Sequence, residues 1–326
     1  MSYLSRYYVM AENELNLRRS KNAEIQKEHI EKAEKIIPQI KEMKKKLAAG
    51  GARLSTILLR NGNAGQSVKE ICAENMEIKR QMKQLLVDSG FDENYLDPVH
   101  SCEKCKDTGI YEGKRCSCFM NDVQRFQCSD LNKASGMSLC SFDSFDISFY
   151  PEVDASGKKD NARKTMEMIF SYCRKYAQDF HLPNNGILML GATGLGKTHL
   201  SLAVGNEVIK RGYSVIYGSA PNLFRQIEKE HFSTVEQIDT ESLLWDCDLL
   251  ILDDLGAEFD SKFNQAALYN IINTRMNKGN PSIVSTNLTL SEIQERYGER
   301  ISSRIFTMEK LPFRGKDIRP LKHIQK

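Results

Sequence analysis

No apolar run in this chain approaches the roughly 20 residues needed to span a bilayer. The opening Met1-Ser2-Tyr3-Leu4-Ser5-Arg6 also lacks the apolar core of a secretory signal. Both absences point to the cytoplasm. Charge of one sign is scarce too: 46 Lys and Arg against 43 Asp and Glu leave a net +3. That is too mild to mark a nucleic-acid binder by bulk charge, so any such contact has to be a local patch. No fixed-period repeat is visible. What the chain does have is length and cysteine. Its 326 residues, 40% apolar, suffice for a sizeable core and about two domains. Nine cysteines in a cytosolic chain argue for metal or free thiols and against a disulfide framework.

The most informative stretch is Gly191-Ala192-Thr193-Gly194-Leu195-Gly196-Lys197-Thr198, which has the spacing of a nucleotide-phosphate cradle. The glycines let consecutive backbone N–H groups wrap a β-phosphate, Lys197 neutralises the β- and γ-phosphates, and the Thr198 hydroxyl ligates Mg²⁺. Residues 186–190 read as a short buried strand before it, and His199 to Val204 as the opening of a helix whose dipole faces the phosphates. The glycine order differs from G-x-G-x-x-G, which argues against NAD or FAD. Leu249-Leu250-Ile251-Leu252-Asp253-Asp254 is an apolar strand ending in two acids. Such a strand delivers Asp253 to the Mg²⁺ shell and places Asp254 to polarise an attacking water. Ser285-Thr286-Asn287 ends the next apolar strand. Asn287 there either sits between γ-phosphate and water or is a polar strand terminus of the ordinary kind.

Around these motifs helices and strands alternate: helix 161–180, strand 186–190, helix 197–210, strand 214–217, helix 222–229, strand 249–252, helix 265–278 and strand 282–286. Such alternation means an α/β fold with a mostly parallel sheet covered on both faces. The N-terminal part differs. From about Ala11 to Ala49 it is dense in Lys and Glu, with Ala33, Ile36, Ile40, Met43 and Leu47 recurring every three or four residues, a helix with one apolar stripe. Pro38 predicts a kink or two helices, and Gly50-Gly51 is expected to end the segment. After a second break over Asn61-Gly62-Asn63-Ala64-Gly65, Ser67 to Val87 repeats the pattern through Ile71, Ile78, Met82 and Leu85. A helical hairpin packed on itself and a partner-binding face account for these stripes equally well. A short aromatic segment, Phe142 to Phe145, and a polar loop over 154–160 precede the α/β part.

Cys102 and Cys105 are followed, after ten residues, by Cys116 and Cys118. Two close pairs separated by a hairpin-length insert can fold back into one tetrahedral thiolate site for structural Zn²⁺. Gly109 and Gly113 supply the turn. The second pair is tighter than the usual C-x-x-C, and His100 or Cys128 could replace one ligand. A site closed by four protein ligands holds a fold together and does no chemistry. Four incidental reduced cysteines are the alternative.

Taken together, these motifs resemble the AAA+ ATPases, and more closely the bacterial helicase loaders of the DnaC/DnaI type, whose ATPase domain is also similar to the transposition helper IstB. The residues that carry the resemblance are Gly191 to Leu200, Leu250-Ile251-Leu252-Asp253-Asp254-Leu255-Gly256-Ala257-Glu258, Ser285-Thr286-Asn287, and Tyr297-Gly298-Glu299-Arg300-Ile301-Ser302-Ser303-Arg304. The likeness spans roughly Phe142 to the C-terminus. The stretch Cys102–Cys118, with Asp107-Thr108-Gly109 inside it, looks like the cysteine module preceding the ATPase domain in some Gram-positive and phage loaders.

The resemblance implies an AAA+ P-loop domain over 136–326 without a full C-terminal lid. A partner-binding helical region (1–96) and a cysteine-rich zinc module (97–135) would precede it. It further implies nucleotide contacts from Gly191, Ala192, Thr193, Gly194, Leu195, Gly196, Lys197, Thr198, His199 and Asp253, with Thr198 and Asp253 on Mg²⁺. Asn287 matches sensor 1 and Arg304 the arginine finger that reaches a neighbouring subunit's γ-phosphate. Arg300 supports it one helical turn earlier, and Arg319 is a sensor 2 candidate. An Arg-rich amphipathic helix simply facing water is the alternative reading for Arg300 and Arg304. Asp254 departs from the Glu of many AAA+ members, and its shorter arm predicts slow hydrolysis, suited to a switch. Arg225, Lys229 and His231, with Phe224 and Phe232 nearby, fall where related loaders line a surface facing single-stranded DNA. Basic groups beside aromatics suit single strands, and a solvated helix explains them as well. The expected function is ATP-controlled loading of the replicative hexameric helicase onto single-stranded DNA by a self-assembling ATPase that needs ATP, Mg²⁺ and structural Zn²⁺. Its rivals are a transposition targeting factor, a zinc-dependent adaptor that binds ATP without turning it over, and a P-loop small-molecule kinase.

Overall fold

Thirty-four residues free of proline and glycine let the first helix, α1 (Tyr3–Ile36), run unbroken. Pro38 then opens α2 (Pro38–Leu59), at the helical position where its missing N–H costs nothing. The computed structural model describes residues 3–59, 65–152, 162–233 and 239–320. Of the expected break over 61–65, residues 61–64 lie outside them, as does the polar loop at 154–160, while Gly65 opens the third helix. Gly50-Gly51 does not end the helical segment, contrary to expectation. A Cβ at Gly50 would stand 2.5 Å from Asn75 Oδ1 on α3 (Gly65–Asp88). The glycine therefore serves a close approach between helices, not a stop.

The chain divides into two compact units, one of residues 12–119 and one of 1–11 with 120–326. The cysteine-rich stretch up to Phe119 falls in the same compact unit as residues 12–96. In the first unit Ala33, Ile37, Ile40, Met82 and Leu86 form a small core, with Met43, Leu47, Ile78 and Leu85 partly buried against it. The stripes thus pack as a hairpin on itself. Ile36 is exposed and Ile37 takes its place, because the interruption before Pro38 shifts the helical phase. A two-stranded antiparallel ribbon, β1 (Ile110–Tyr111) and β2 (Lys114–Arg115), turns through Glu112 and Gly113, both at positive φ (50° and 75°). This is the twist a two-residue hairpin requires. Helix α4 (Ser117–Ala134) follows.

In the second unit α5 (Ala162–Gln178) leads into β3 (Ile187–Leu190), α6 (Lys197–Lys210), β4 (Val215–Ser219), α7 (Ala220–His231), α8 (Thr240–Asp246), β5 (Leu249–Leu255), α9 (Lys262–Lys278), β6 (Ser282–Thr286), α10 (Leu290–Ile305) and β7 (Glu309–Pro312). The five strands form one parallel sheet in the order β4-β5-β6-β3-β7. Period-two alternation sends Ile187 and Met189 to one face, against α5 and α6. Leu188 faces the opposite way, towards α7, α9 and α10. Helices α8 and α10 and strand β7 extend the expected list. The β7 sequence Glu-Lys-Leu-Pro has no apolar run because it lies at the sheet edge and ends in proline. Within α10, Gly298 (φ 74°, ψ 170°) breaks the helical path. Among the described residues no helix is long and apolar enough to cross a membrane.

One buried side chain ties α8 and α9 to the sheet. Arg275, 1% exposed, donates to the carbonyls of Leu244 (2.6 Å), Cys247 (2.8 Å) and Pro281 and to the Ser282 hydroxyl (2.9 Å). Substituting Arg275→Leu strands several buried carbonyls and is expected to cost about 3–5 kcal/mol. An unchanged urea unfolding midpoint in that variant would contradict this assignment.

Candidate functional site

Strand β3 runs out at Leu190 and α6 starts at Lys197, so residues 191–196 turn at the carboxyl end of the sheet, beside the point where strand order reverses. Gly194 lies at φ 80°, and a Cβ there would overlap the Asp317 carboxylate at 1.9 Å. Gly196 lies at φ 84°, and a Cβ there would meet the Phe145 ring and the Tyr150 hydroxyl at 2.9 Å. Tyr150 is buried and donates from its hydroxyl to Leu195 O (2.8 Å). From the other side, the Phe313 N–H reaches Leu190 O (2.7 Å) and the Ile318 N–H reaches Gly194 O (3.1 Å). The loop is therefore clasped between the aromatic segment at 142–150 and the segment following β7. Gly196 gives the N-terminus of α6 no side-chain cap, which suits that helix end to an anion.

The cleft beside this loop has a volume of about 440 Å³ and is lined by Thr193 to His199, Asp253, Asp254, Ser285, Asn287, Ile318 and Arg319. Lys197 Nζ donates to Gly191 O (2.6 Å), Ala192 O (2.8 Å) and Asn287 Oδ1 (2.7 Å). Burial pushes its ammonium below the usual lysine range, against the pull of Asp253 and Asp254. The Thr198 hydroxyl donates to Asp253 Oδ2 (2.9 Å), an all-oxygen pair that fits a Mg²⁺ shell. The Ser285 hydroxyl donates to Asp253 and accepts from the Asp254 N–H (3.0 Å). Asn287 Nδ2 donates to Asp254 Oδ1 (3.0 Å), so one amide joins the lysine to the second acid. His199 also lines the cleft, its ring edge-on to Phe145 (5.3 Å) and its Nε2 3.1 Å from Ser144 Oγ and Ser141 O.

A strand sends neighbouring side chains to opposite faces, yet Asp253 and Asp254 share this cleft. The reason is a bulge. Asp254 adopts φ 57°, and the β5–β6 register slips between Leu252 and Leu255, which re-aims the second acid. The part played by Ser285 was missed at the sequence level. The signal was present: two consecutive acids closing a buried strand conflict with simple alternation.

The arginines divide. Arg319 lines the cleft, whereas Arg300 and Arg304, on α10 beyond Gly298, do not. Arg304 is held against α9: its Nε donates to Asn273 Oδ1 (2.8 Å), its Nη2 lies 3.2 Å from the Tyr269 hydroxyl, and its guanidinium stacks 4.7 Å from that ring. Arg300 is exposed. Of the nucleic-acid candidates, Arg225, Lys229 and His231 are exposed and Phe232 is 74% exposed. Phe224, at 1%, belongs to the core under α7 and offers no surface to a strand, because position 224 falls on the apolar stripe with Leu223 and Ile227.

In the first unit the sulfur atoms of Cys102, Cys105, Cys116 and Cys118 lie within 4.8 Å of one another. Cys102 and Cys116 are 3.9 Å apart, Cys105 and Cys118 3.5 Å. Tetrahedral thiolates at Zn–S distances near 2.3 Å sit about 3.8 Å apart, so the donor set and its spacing fit zinc. The backbone N–H of Cys118 pulls the Cys116 thiol down to about 7, while burial pushes Cys118 up. The tight C-x-C works because Cys116 closes the ribbon through its N–H to Gly109 O (2.9 Å) and Cys118 sits in the first turn of α4. The buried Asp107 holds the first knuckle, accepting from Ser101 N (2.8 Å), Cys102 N (3.0 Å) and Asn22 Nδ2 (2.8 Å). Among the described residues neither His100 nor Cys128 joins the group. Cys128 is instead buried in the core of the second unit, where burial raises its thiol.

The loop geometry is directly testable. Gly196→Val combines a positive φ with the contacts to Phe145 and Tyr150 and is expected to lose at least about 2 kcal/mol of stability. A thermal unfolding midpoint equal to that of the wild type would contradict the described loop.

Residues 174–306 match the family described as IstB-like ATP binding protein. The chain is 27% identical over 169 residues to the replicative helicase loader DnaC of Buchnera aphidicola subsp. Acyrthosiphon pisum, covering 51% of this chain and 63% of that protein. It is 25% identical over 168 residues to the DnaC of Escherichia coli K12, covering 51% and 62%. The chain thus spans less than two thirds of the curated relatives it matches. A crystal structure of DnaI covers 55% of this chain and 90% of its own, at 22% identity and a TM-score of 0.44. Residues 174–306 are thus similar to the IstB-like ATP-binding proteins, and about half of the chain is similar to the DnaC helicase loaders.

Proposed function

We propose that this protein loads the replicative hexameric helicase onto single-stranded DNA under the control of ATP. The observation that carries the reading is the convergence of Lys197, Thr198, Asp253, Asp254 and Asn287 on one cleft, while Arg304 is held outside that cleft. In this reading Lys197 binds the β- and γ-phosphates, Thr198 and Asp253 hold Mg²⁺, and Asp254, aligned by Asn287, polarises the attacking water. His199 and Arg319 border the bound nucleotide. The cation completing the site comes from Arg304 of a neighbouring copy, supported by Arg300, so hydrolysis depends on assembly. The shorter arm of Asp254 keeps turnover slow. Helices α1 to α3 and the zinc-held knuckle grip the helicase, and Arg225, Lys229, His231 and Phe232 meet the DNA strand. Zinc, held by the four cysteines, supplies a rigid cross-link and takes no part in hydrolysis.

The IstB-like match favours one second reading, a transposition helper. The two separate on partner: a loader forms an ATP-dependent complex with the host replicative helicase on size exclusion, and a transposition helper does not.

Lys197→Ala is expected to lose ATP binding and to lower hydrolysis on the order of 10²-fold or more. Arg304→Ala should keep nucleotide affinity and lose about 10³-fold in turnover. Equal DNA-stimulated turnover in wild type and Lys197→Ala would favour an adaptor that does not hydrolyse ATP. Elemental analysis should find one zinc per chain in the wild type and much less in Cys102→Ser, with a lower melting temperature. Unchanged metal content would refute the zinc site.

A further inference from the structure

Glu258 is a carboxylate only 5% exposed, four residues beyond Asp254 and outside every role assigned so far. Burying a carboxylate costs several kcal/mol unless each oxygen is engaged. Here the engagement is complete. Oε2 accepts from the Gly256 N–H (2.8 Å) and Oε1 accepts from the Tyr297 hydroxyl. The Arg296 guanidinium lies 3.6 Å from Oε1 and donates to the Glu258 backbone carbonyl. The Arg296 carbonyl in turn accepts from Gln265 Nε2 (3.1 Å), near the start of α9. Burial and the nearby carboxylate push the Tyr297 phenol up, so it donates as the neutral group.

The location of this latch gives it a consequence. The turn that begins at Asp254, closed by Ala257 N–H to Asp254 O (3.2 Å), ends on Glu258. Tyr297 is the residue immediately before the Gly298 break in α10. Beyond the break the helix carries Arg300 and Arg304, and its direction is not set by continuous helical geometry. It has to be set by neighbours. Ile301 and Ile305 seat it on the core, and two polar ties add to that packing: the latch at Tyr297, and α9, which holds Arg304 through Tyr269 and Asn273 and starts just after Glu258.

We propose that Glu258 and Tyr297 are positioning residues for ATP hydrolysis, a buried latch that fixes the arginine-bearing half of α10 to the loop following Asp254. Through it the state of the acid-bearing strand end in one copy sets the aim of the arginine offered to the next. The inference rests on the reading that Arg304 acts across a subunit boundary.

The test is a double-mutant cycle on the full-length protein, read by binding of a fluorescent ATP analogue with Mg²⁺ and by steady-state hydrolysis with single-stranded DNA. Tyr297→Phe removes one hydroxyl and keeps the ring. Glu258→Gln turns an amide donor towards either the Gly256 N–H or the Tyr297 hydroxyl. Each variant should bind nucleotide within about twofold of the wild type, keep its KM, and lose at least about tenfold in kcat. Combined with Arg304→Ala, Tyr297→Phe should cost nothing further, because both changes remove one function. A kcat within twofold of wild type in Tyr297→Phe, or a loss that multiplies with that of Arg304→Ala, overturns the latch while leaving the trans arginine intact. Wild-type turnover in Arg304→Ala alone instead overturns the trans arginine, and the latch with it.

Discussion

A strand that alternates faces cannot aim two consecutive acids into one cleft, and the left-handed residue at Asp254 lifts that restriction. The bulge it creates brings Asp253 beside Thr198 and Asp254 beside Asn287. The Ser285 hydroxyl bridges the two acid positions. Asn287 then joins the second acid to Lys197, so the phosphate loop, Thr198 and the two acids form one hydrogen-bonded array across β3, β5 and β6. A non-glycine residue at positive φ carries a conformational cost, and here its side chain and its N–H are both occupied by partners that compensate. The same turn leads directly to Glu258, so the geometry of the acids and the seat of the arginine helix share one loop.

The cleft is also shaped from outside the sheet. Tyr150 and Phe145 press on Gly196, and the segment after β7 lies over Gly191 and Gly194. Neither contact lies within the phosphate-loop motif, yet both explain why its glycines admit no side chain. In the other unit a comparable economy holds. Asp107, itself at positive φ, organises the first cysteine knuckle with three hydrogen bonds, and the ribbon carries the second pair back to it.

Much of this was legible in the chain. The strands at 187–190 and 282–286 and the helix at 197–210 follow from runs whose apolar period is unambiguous, and the phosphate loop from glycine spacing alone. Pro38 marked a helix start correctly because its constraint is local. Other features depend on partners far away in sequence. Gly50-Gly51 resembles a helix end until Asn75 is seen packing there. Phe224 and Phe232 look alike as aromatics near basic residues, but only the helical phase with Leu223 and Ile227 separates the buried one from the exposed one. The edge strand β7 has no hydrophobic signature, and the partnership of Glu258 with Tyr297 joins residues 39 apart with nothing local to announce it.

The central claim is that the bound triphosphate is read partly by an adjoining copy, and a mixing experiment tests it most directly. Lys197→Ala keeps its arginine and lacks a working cleft, while Arg304→Ala keeps its cleft and lacks the arginine. Each alone should be silent in ATP hydrolysis, and an equimolar mixture should recover a substantial fraction of wild-type turnover. A mixture as silent as its components, with both variants folded and Arg304→Ala still binding ATP, would contradict the account.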